Sequence, residues 1–338
     1  MSAPLLTICI ATYNRARFIG ETLDSIVGQL TPDVELLVLD GASPDDTAAV
    51  VAARPGARYV CEPTNSGVDR DYDKAVGHAR GRYCWLMTDD DLLLPGAVAR
   101  VLAALADDPA LLVVNAEVRS IDFAIPLQAR LLDFAADRDY PVTHAKAFFE
   151  EVAAHLKFIG AVVVDREAWL GRAREPYYGT LFIHAGVIFQ SPPIGLARVL
   201  AEPVMVIRYG NAMWTPRGFE IWMYKWPGLV WSFDGYDDAS KARVCAREPW
   251  RKLVKLGVQR GLGGLSPEEV ARHFGAGTPW TARAKARFAA AFPAPLANTI
   301  ACVACLAMPR KSRLNLYDLA RSRHATFISR KIAELLGV

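Results

Sequence analysis

Short runs of β-branched and apolar residues alternate with amphipathic stretches through residues 1–118, a pattern that predicts parallel strands joined by crossover helices. Strands are expected at 5–11, 34–40, 57–62, 83–88 and 110–116, and helices at 17–30, 44–53, 69–79 and 95–106. Pro44 and Pro95 suit first helical turns, where a proline gives up no needed N–H. The reading is a doubly wound α/β domain, in which ligands bind beyond the carboxyl ends of the strands. Those ends are polar: Thr12-Tyr13-Asn14-Arg15, Asp40-Gly41-Ala42-Ser43, the run from Glu62 to Gly67, and Asp89-Asp90-Asp91.

A second segment, 122–208, predicts a helix at 144–156, a strand at 158–164 and a further apolar element at 180–189. An aromatic block at 209–236 follows, with Trp214, Trp222, Trp226 and Trp231, and 239–338 reads as helices punctuated by glycines and by Pro293 and Pro309. No internal repeat is visible. The expected division is a catalytic domain at 1–210, with halves at 1–118 and 119–210, and an aromatic and basic helical region at 211–338.

A chain of 338 residues with 52% hydrophobic and 22% charged positions makes one large domain or two ordinary ones and excludes disorder and low-complexity classes. The net charge of +3 conceals an uneven layout: 21 basic against 31 acidic residues over 1–238, then 18 against 5 over 239–338. A basic tail on an acidic body faces phosphates, a lipid surface or nucleic acid, or is a solvated helical face. Six cysteines without a signal-peptide pattern are expected to be reduced thiols, with Cys302 and Cys305 as small buried hydrophobes. The apolar stretch 293–308 is too short to span a bilayer, so any membrane contact is expected to be peripheral.

The sharpest chemistry lies in Asp89-Asp90-Asp91, directly after an apolar strand. Adjacent carboxylates repel one another and need a compensating charge. Oxygen-only ligands suit Mg²⁺ or Mn²⁺, which typically share one or two carboxylates with substrate phosphates. The alternative is a solvated acidic turn capping the helix near Pro95.

The run from Leu6 to Arg15, the run from Leu39 to Thr47, and the Asp triplet with Pro95 four residues on together resemble family 2 glycosyltransferases of the GT-A fold. The segments Gly67-Val68-Asp69-Arg70-Asp71-Tyr72 and Cys84 to Asp91 are similar to the abequosyltransferase-like branch of bacterial O-antigen enzymes. The resemblance implies a GT-A domain, a Rossmann-like and mostly parallel sheet flanked by helices, with a C-terminal helical extension. It implies that Thr12, Tyr13, Arg15, Asp40, Asn65, Asp69, Asp71 and Asp90 line the donor nucleotide, and that Asp91 and Asp89 hold the metal. A register set by Pro95 puts Thr88 where many members have the first Asp.

Family members often supply a base from a carboxylate at the start of a later helix. The corresponding stretch, Tyr177 to Ala185, has His184 instead. An ordinary imidazole titrates near 6.5 and can take a proton at neutral pH; the other reading is a packed histidine. Asp165 and Glu175 are reserves, and Asp122 is a candidate for the donor sugar. Arg208, Trp214 and Arg217 sit in a Gly/Pro-flanked loop that reads as a lid over the diphosphate. The Trp-rich run and the bases after it read as a helix on anionic lipid or as an interdomain core.

The resulting expectation is a metal-dependent, inverting glycosyltransferase of EC class 2.4. It would move a sugar from a nucleotide-sugar donor to a lipid-linked saccharide, in the cytoplasm on the inner face of the plasma membrane, in surface polysaccharide assembly. A nucleotidyltransferase or sugar-phosphate pyrophosphorylase would carry a Gly-rich loop after the first strand, and Thr12 to Ala16 has no glycine. A nucleic-acid-binding protein is disfavoured by the acidic body, and no nucleic-acid partner is expected.

Overall fold

A computed structural model of the chain describes residues 3–211, 217–307 and 309–338. The chain forms two compact units. The first comprises 1–118, 129–208 and 229–245, and the second 119–128, 209–228 and 246–338. The aromatic block is thus divided, with 229–245 in the first unit.

The first unit begins with β1 (Leu6–Thr12), α1 (Ala16–Val27), β2 (Val34–Asp40), α2 (Thr47–Ala52), β3 (Ala57–Cys61), α3 (Val68–His78) and β4 (Tyr83–Met87). It continues through β5 (Leu92–Leu93), α4 (Ala97–Ala104) and β6 (Leu111–Ser120). The three-residue β7 (Pro126–Gln128) lies in the second unit. The first unit resumes with β8 (Arg138–Tyr140), α5 (Ala145–Val152), β9 (Val162–Asp165), α6 (Arg166–Leu170), α7 (Ile183–Phe189) and β10 (Ala197–Tyr209). The sheet runs in the order β3-β2-β1-β4-β9-β6-β10-β5. Strands β1 to β4 are mutually parallel, whereas β9 runs antiparallel to β4 and β6. β4 is buried along its whole length and β1 along nearly all of its own, because helices cover both faces of a parallel sheet. Ile8, Ile10, Leu36, Trp85 and Met87 pack with Leu23, Ile26, Val98 and Val101 in one core.

The strands expected between 5 and 116 all form, shifted by a few residues at their ends. The two prolines do not start helices. α2 begins at Thr47 and α4 at Ala97, the latter after Gly96 in the left-handed region at φ 80, so Pro44 and Pro95 lie in the turns before. The expected strand at 158–164 is shortened by a helical turn at Ile159–Ala161, and the apolar element at 180–189 becomes the buried helix α7. β10, thirteen residues long, carries no local signal of its own.

The rest of the chain adds α8 (Gly218–Glu220), α9 (Trp226–Ser232), α10 (Asp238–Val244), α11 (Leu253–Leu262), α12 (Pro267–His273), α13 (Trp280–Ala291), α14 (Ala294–Cys305), α15 (Pro309–Arg321) and α16 (Phe327–Leu335). In the second unit, Phe219 and Met223 pack with Leu256, Leu265, Val270 and Phe274. In the first, Phe149 stacks on Tyr236 at 3.9 Å between ring centroids, with Phe189 and Phe233 beside them. Trp226 is buried and Trp222 and Trp231 are partly so. The described aromatics of the block therefore pack largely as core material, the second of the two readings its composition allowed.

Asn115 on β6 shows how polar groups brace this core. Its buried amide donates to the carbonyls of Leu132 at 2.7 Å and Ala201 at 2.6 Å, and accepts from the N–H groups of Leu131 and Leu132. Asn115→Ala leaves those groups without partners and is expected to cost about 3 kcal/mol, read as a lowered denaturation midpoint with an unchanged m-value.

Candidate active site

The turns after β1 and β2 are tied together by their own side chains. Asn14, in the left-handed region at φ 56, donates its N–H to Ser43 Oγ at 2.8 Å, and the Arg15 N–H reaches Thr47 Oγ1 at 3.2 Å. Asp45 accepts from the Ala16 N–H at 2.9 Å. Asp40, buried at the end of β2, accepts from the Ser43 N–H at 2.8 Å and from the Tyr59 hydroxyl at 2.6 Å. A Cβ at Gly41 would stand 3.0 Å from Asp71 Oδ2, so any larger residue there would push the Asp71 carboxylate back from this turn. Asp71 also accepts from Ser66 Oγ at 2.6 Å, and burial raises its titration above the usual carboxylate range. Thr12, Arg15, Asp40 and Asp71 are thus buried at the carboxyl end of the sheet. Tyr13 is half-buried and Asn65 exposed, its Oδ1 taking the Gly67 N–H at 2.8 Å.

The Asp triplet lies after β4, where the Tyr72 hydroxyl anchors the Met87 carbonyl at 3.0 Å. The compensating charge comes from two arginines. Arg15 donates from Nε to Asp89 Oδ1 at 3.1 Å and forms a second ion pair with Asp90. Arg208, from β10, donates from Nε to the Asp90 carbonyl at 2.9 Å and pairs with Glu21 at 2.5 Å. Phe18 lies under both guanidinium groups, at 5.1 and 5.2 Å. Burial and the neighbouring Asp90 charge push Asp89 up to about 6 against the pull of Arg15.

Asp91 is used differently. Its Oδ1 accepts the Arg208 N–H at 2.7 Å and its Oδ2 accepts the Thr88 hydroxyl, while burial raises its titration well above the usual range. Each of its oxygens accepts one hydrogen bond from the fold, whereas Asp89 and Asp90 pair with the Arg15 guanidinium. Arg208 belongs to this cluster and not to a loop. Arg217 pairs with Glu220 at 3.0 Å in the second unit, and Trp214 lies outside the described residues.

The base candidates are placed as follows. His184 is fully buried on α7, with Nε2 against the Leu156 carbonyl at 2.8 Å, and burial brings its titration down to about 4. An imidazole enclosed in this way is placed as a packed histidine, the alternative to its reading as the base. Asp165 caps α6 and pairs in register with Tyr83 at the start of β4, the opposite end of the sheet from the triplet. Glu175 is exposed in the turn before α7. Asp122 belongs to the second unit, bound to the Ala124 N–H at 3.1 Å. Asp69, expected on the nucleotide side, is engaged with α7. Its two oxygens accept the N–H groups of Leu181 at 2.9 Å and Ile183 at 3.1 Å, capping α7 from α3.

Residues 7–168 match the family described as Glycosyl transferase family 2. This part of the chain is a family 2 glycosyltransferase domain. An uncharacterized protein of Mycobacterium tuberculosis is 37% identical over 108 residues, 31% of this chain and 34% of that protein. The abequosyltransferase RfbV of Salmonella typhimurium is 23% identical over 234 residues, 63% of this chain and 69% of that one. The mannosyltransferase PcManGT of Pyrobaculum calidifontis, solved in complex with GDP-Man and Mn2+, shares the fold at a TM-score of 0.52 and 18% identity, over 95% of this chain and 87% of that one. The sheet described above is accordingly a GT-A sheet.

Within the glycosyltransferase domain, Tyr59, Glu21 and Thr88 complete the polar network, and the first two of these escaped the sequence reading. Tyr59 sits inside a strand and Glu21 inside a helix, where nothing local separates a functional side chain from a structural one. A carboxyl with a folded-state pKa above its unfolded value binds the extra proton in the folded state. The stability Asp89 contributes therefore falls as pH rises from about 4 to about 6. Arg15→Met removes the charge that opposes this loss. It is expected to cost about 3 kcal/mol at pH 7, with the gap to the parent narrowing as the pH is lowered through 6 to 4, read by denaturant titration across that range.

Proposed function

We propose that the chain transfers a sugar from a nucleotide-sugar donor to a lipid-linked saccharide, with inversion, during surface polysaccharide assembly at the cytoplasmic face of a membrane. The observation that carries the reading is the charge cluster at the end of β4. Asp89 and Asp90 converge on one guanidinium, next to turns whose buried polar groups surround Asp40 and Asp71. Similarity to an abequosyltransferase supports the substrate class, and a fold shared with a mannosyltransferase solved with GDP-Man and Mn2+ supports a nucleotide-sugar and a divalent ion.

The residues fit such an ion. Asp89 and Asp90 offer hard oxygen donors whose mutual repulsion is already felt in the raised titration of Asp89. Among the described residues no group of three His, Cys, Asp or Glu side chains is placed to hold a metal alone; Mg²⁺ and Mn²⁺ commonly take one or two carboxylates together with substrate phosphates. When bound, Mn²⁺ or Mg²⁺ would supply positive charge for the departing diphosphate. Arg15 would bind the same phosphates, with Thr12, Tyr13, Asp40, Asn65 and Asp71 around the nucleoside.

A thermal-shift panel of nucleoside diphosphates with and without Mn²⁺ tests this reading. One base is expected to stabilise the chain in a metal-dependent way, by about 2.7 kcal/mol at a hundredfold excess over Kd. Asp90→Asn is expected to abolish the metal dependence, whereas Asp91→Asn lowers the melting temperature of the unliganded chain. The absence of a shift for every nucleotide would sink the assignment.

A further inference from the structure

Helix α14 is apolar on both of its sides. Its inner side buries Ala297, Ala301, Cys302 and Cys305 around Asn298. The Asn298 amide donates to the Gly261 and Leu319 carbonyls at 3.1 and 2.9 Å and to Ser322 Oγ at 3.0 Å, fixing this side against α11 and α15. A Cβ at Gly261 would stand 2.9 Å from Asn298 Cα, so the approach to α11 is as close as a backbone permits. The opposite side presents Leu296, Ile300, Val303 and Leu306, exposed by 49%, 54%, 49% and 47%. These fall at i, i+4, i+7 and i+10, a single stripe.

Thr299 at the edge of that stripe bonds Thr326, the N-cap of α16, at 2.8 Å. The contact brings the first turn of α16, with exposed Phe327 and Ile328, alongside it. A helix apolar all round has its outer face in a protein core or in lipid, and among the described residues this face stays exposed.

Charge selects the occupant. Residues 280–305 contain Arg283, Lys285 and Arg287 and no acidic residue, and 239–338 carries 18 basic residues against 5 acidic. A segment of this net charge repels a second copy of itself and attracts an anionic surface. Among the described residues no single helix is long and apolar enough to cross a membrane; α13 and α14 have the length and composition only as a pair, and they are bent by 100° from one another, which suits a helix pair lying on a bilayer. A helix of 12 residues reaches about 18 Å, against a hydrocarbon core of about 30 Å.

We propose that the outer face of α14, with the first turn of α16 beside it, is the docking surface of the second unit for an anionic lipid bilayer, with α14 lying in the plane of the headgroups. The proposal rests on the reading of the chain as a peripheral glycosyltransferase and locates its membrane contact.

Flotation of the full chain with vesicles of phosphatidylethanolamine and phosphatidylglycerol, against vesicles of phosphatidylcholine alone, is the test. The chain is expected to float with the anionic vesicles and to release as salt is raised. Ile300→Ser with Val303→Ser is expected to weaken partitioning by about tenfold or more while keeping the parent melting temperature. Lys285→Gln with Arg287→Gln is expected to reduce the salt dependence. Failure of the parent to float, or flotation of the Ile300/Val303 variant at the parent level, would overturn the proposal. So would a concentration-dependent dimer of the parent, seen by sedimentation and lost in that variant, since the face would then be a self-association surface. The Mn²⁺-dependent nucleotide shift, measured on the same samples, reports separately on the glycosyltransferase reading.

Discussion

Neutralising three consecutive aspartates is the constraint around which the site is built. Left alone, Asp89, Asp90 and Asp91 would repel one another in a partly desolvated turn. The fold meets this by drawing in Arg15 from the β1 turn and Arg208 from β10, and by tying Asp91 to a backbone N–H and to Thr88. Residues separated by almost two hundred positions, Glu21 and Arg208 among them, are closed into one cluster. Buried ion pairs add little net stability because desolvation offsets the attraction, yet removing one partner strands the other. The arrangement is therefore better understood as holding charge in readiness for a charged ligand than as a source of stability.

The same economy shows in the turns around it. Asp40 fixes Ser43 and Tyr59, Asp45 fixes Ala16, and Gly41 leaves room for Asp71. Each carboxylate holds backbone or hydroxyl groups from a different strand end, so the crevice is preorganised by residues that also bear its charge.

The parallel half of the sheet was legible because β1, β2 and β4 are buried on both faces and read as unbroken apolar runs, each followed by polar residues. The Asp triplet was legible as a charge problem, and its solution was not. Arg15 and Arg208 lie 74 to 119 positions from the aspartates, and nothing in a linear pattern shows that two guanidinium groups meet them. His184 stood in the right order of motifs, but its burial depends on the Leu156 carbonyl, 28 residues away. The aromatic block misled for a related reason: its composition fits lipid and protein cores equally, and packing by Leu256, Phe274 and Phe149 decided between them. The outer stripe of α14 shows the converse, an apolar stretch in the sequence whose Leu296, Ile300 and Val303 stay exposed in the fold.

Capping of α7 by Asp69 bears on how such domains diversify. The residue at the helix start is Phe182, which offers no side-chain acceptor, and the preceding Leu181 sits in the left-handed region at φ 71. The helix therefore borrows its first hydrogen bonds from α3, more than a hundred residues earlier. A segment built this way is not portable. Exchanging it between homologous chains, or varying α3 in a library, would trade one half of a matched pair and leave the other unsupported, so the two stretches have to be inherited or engineered together.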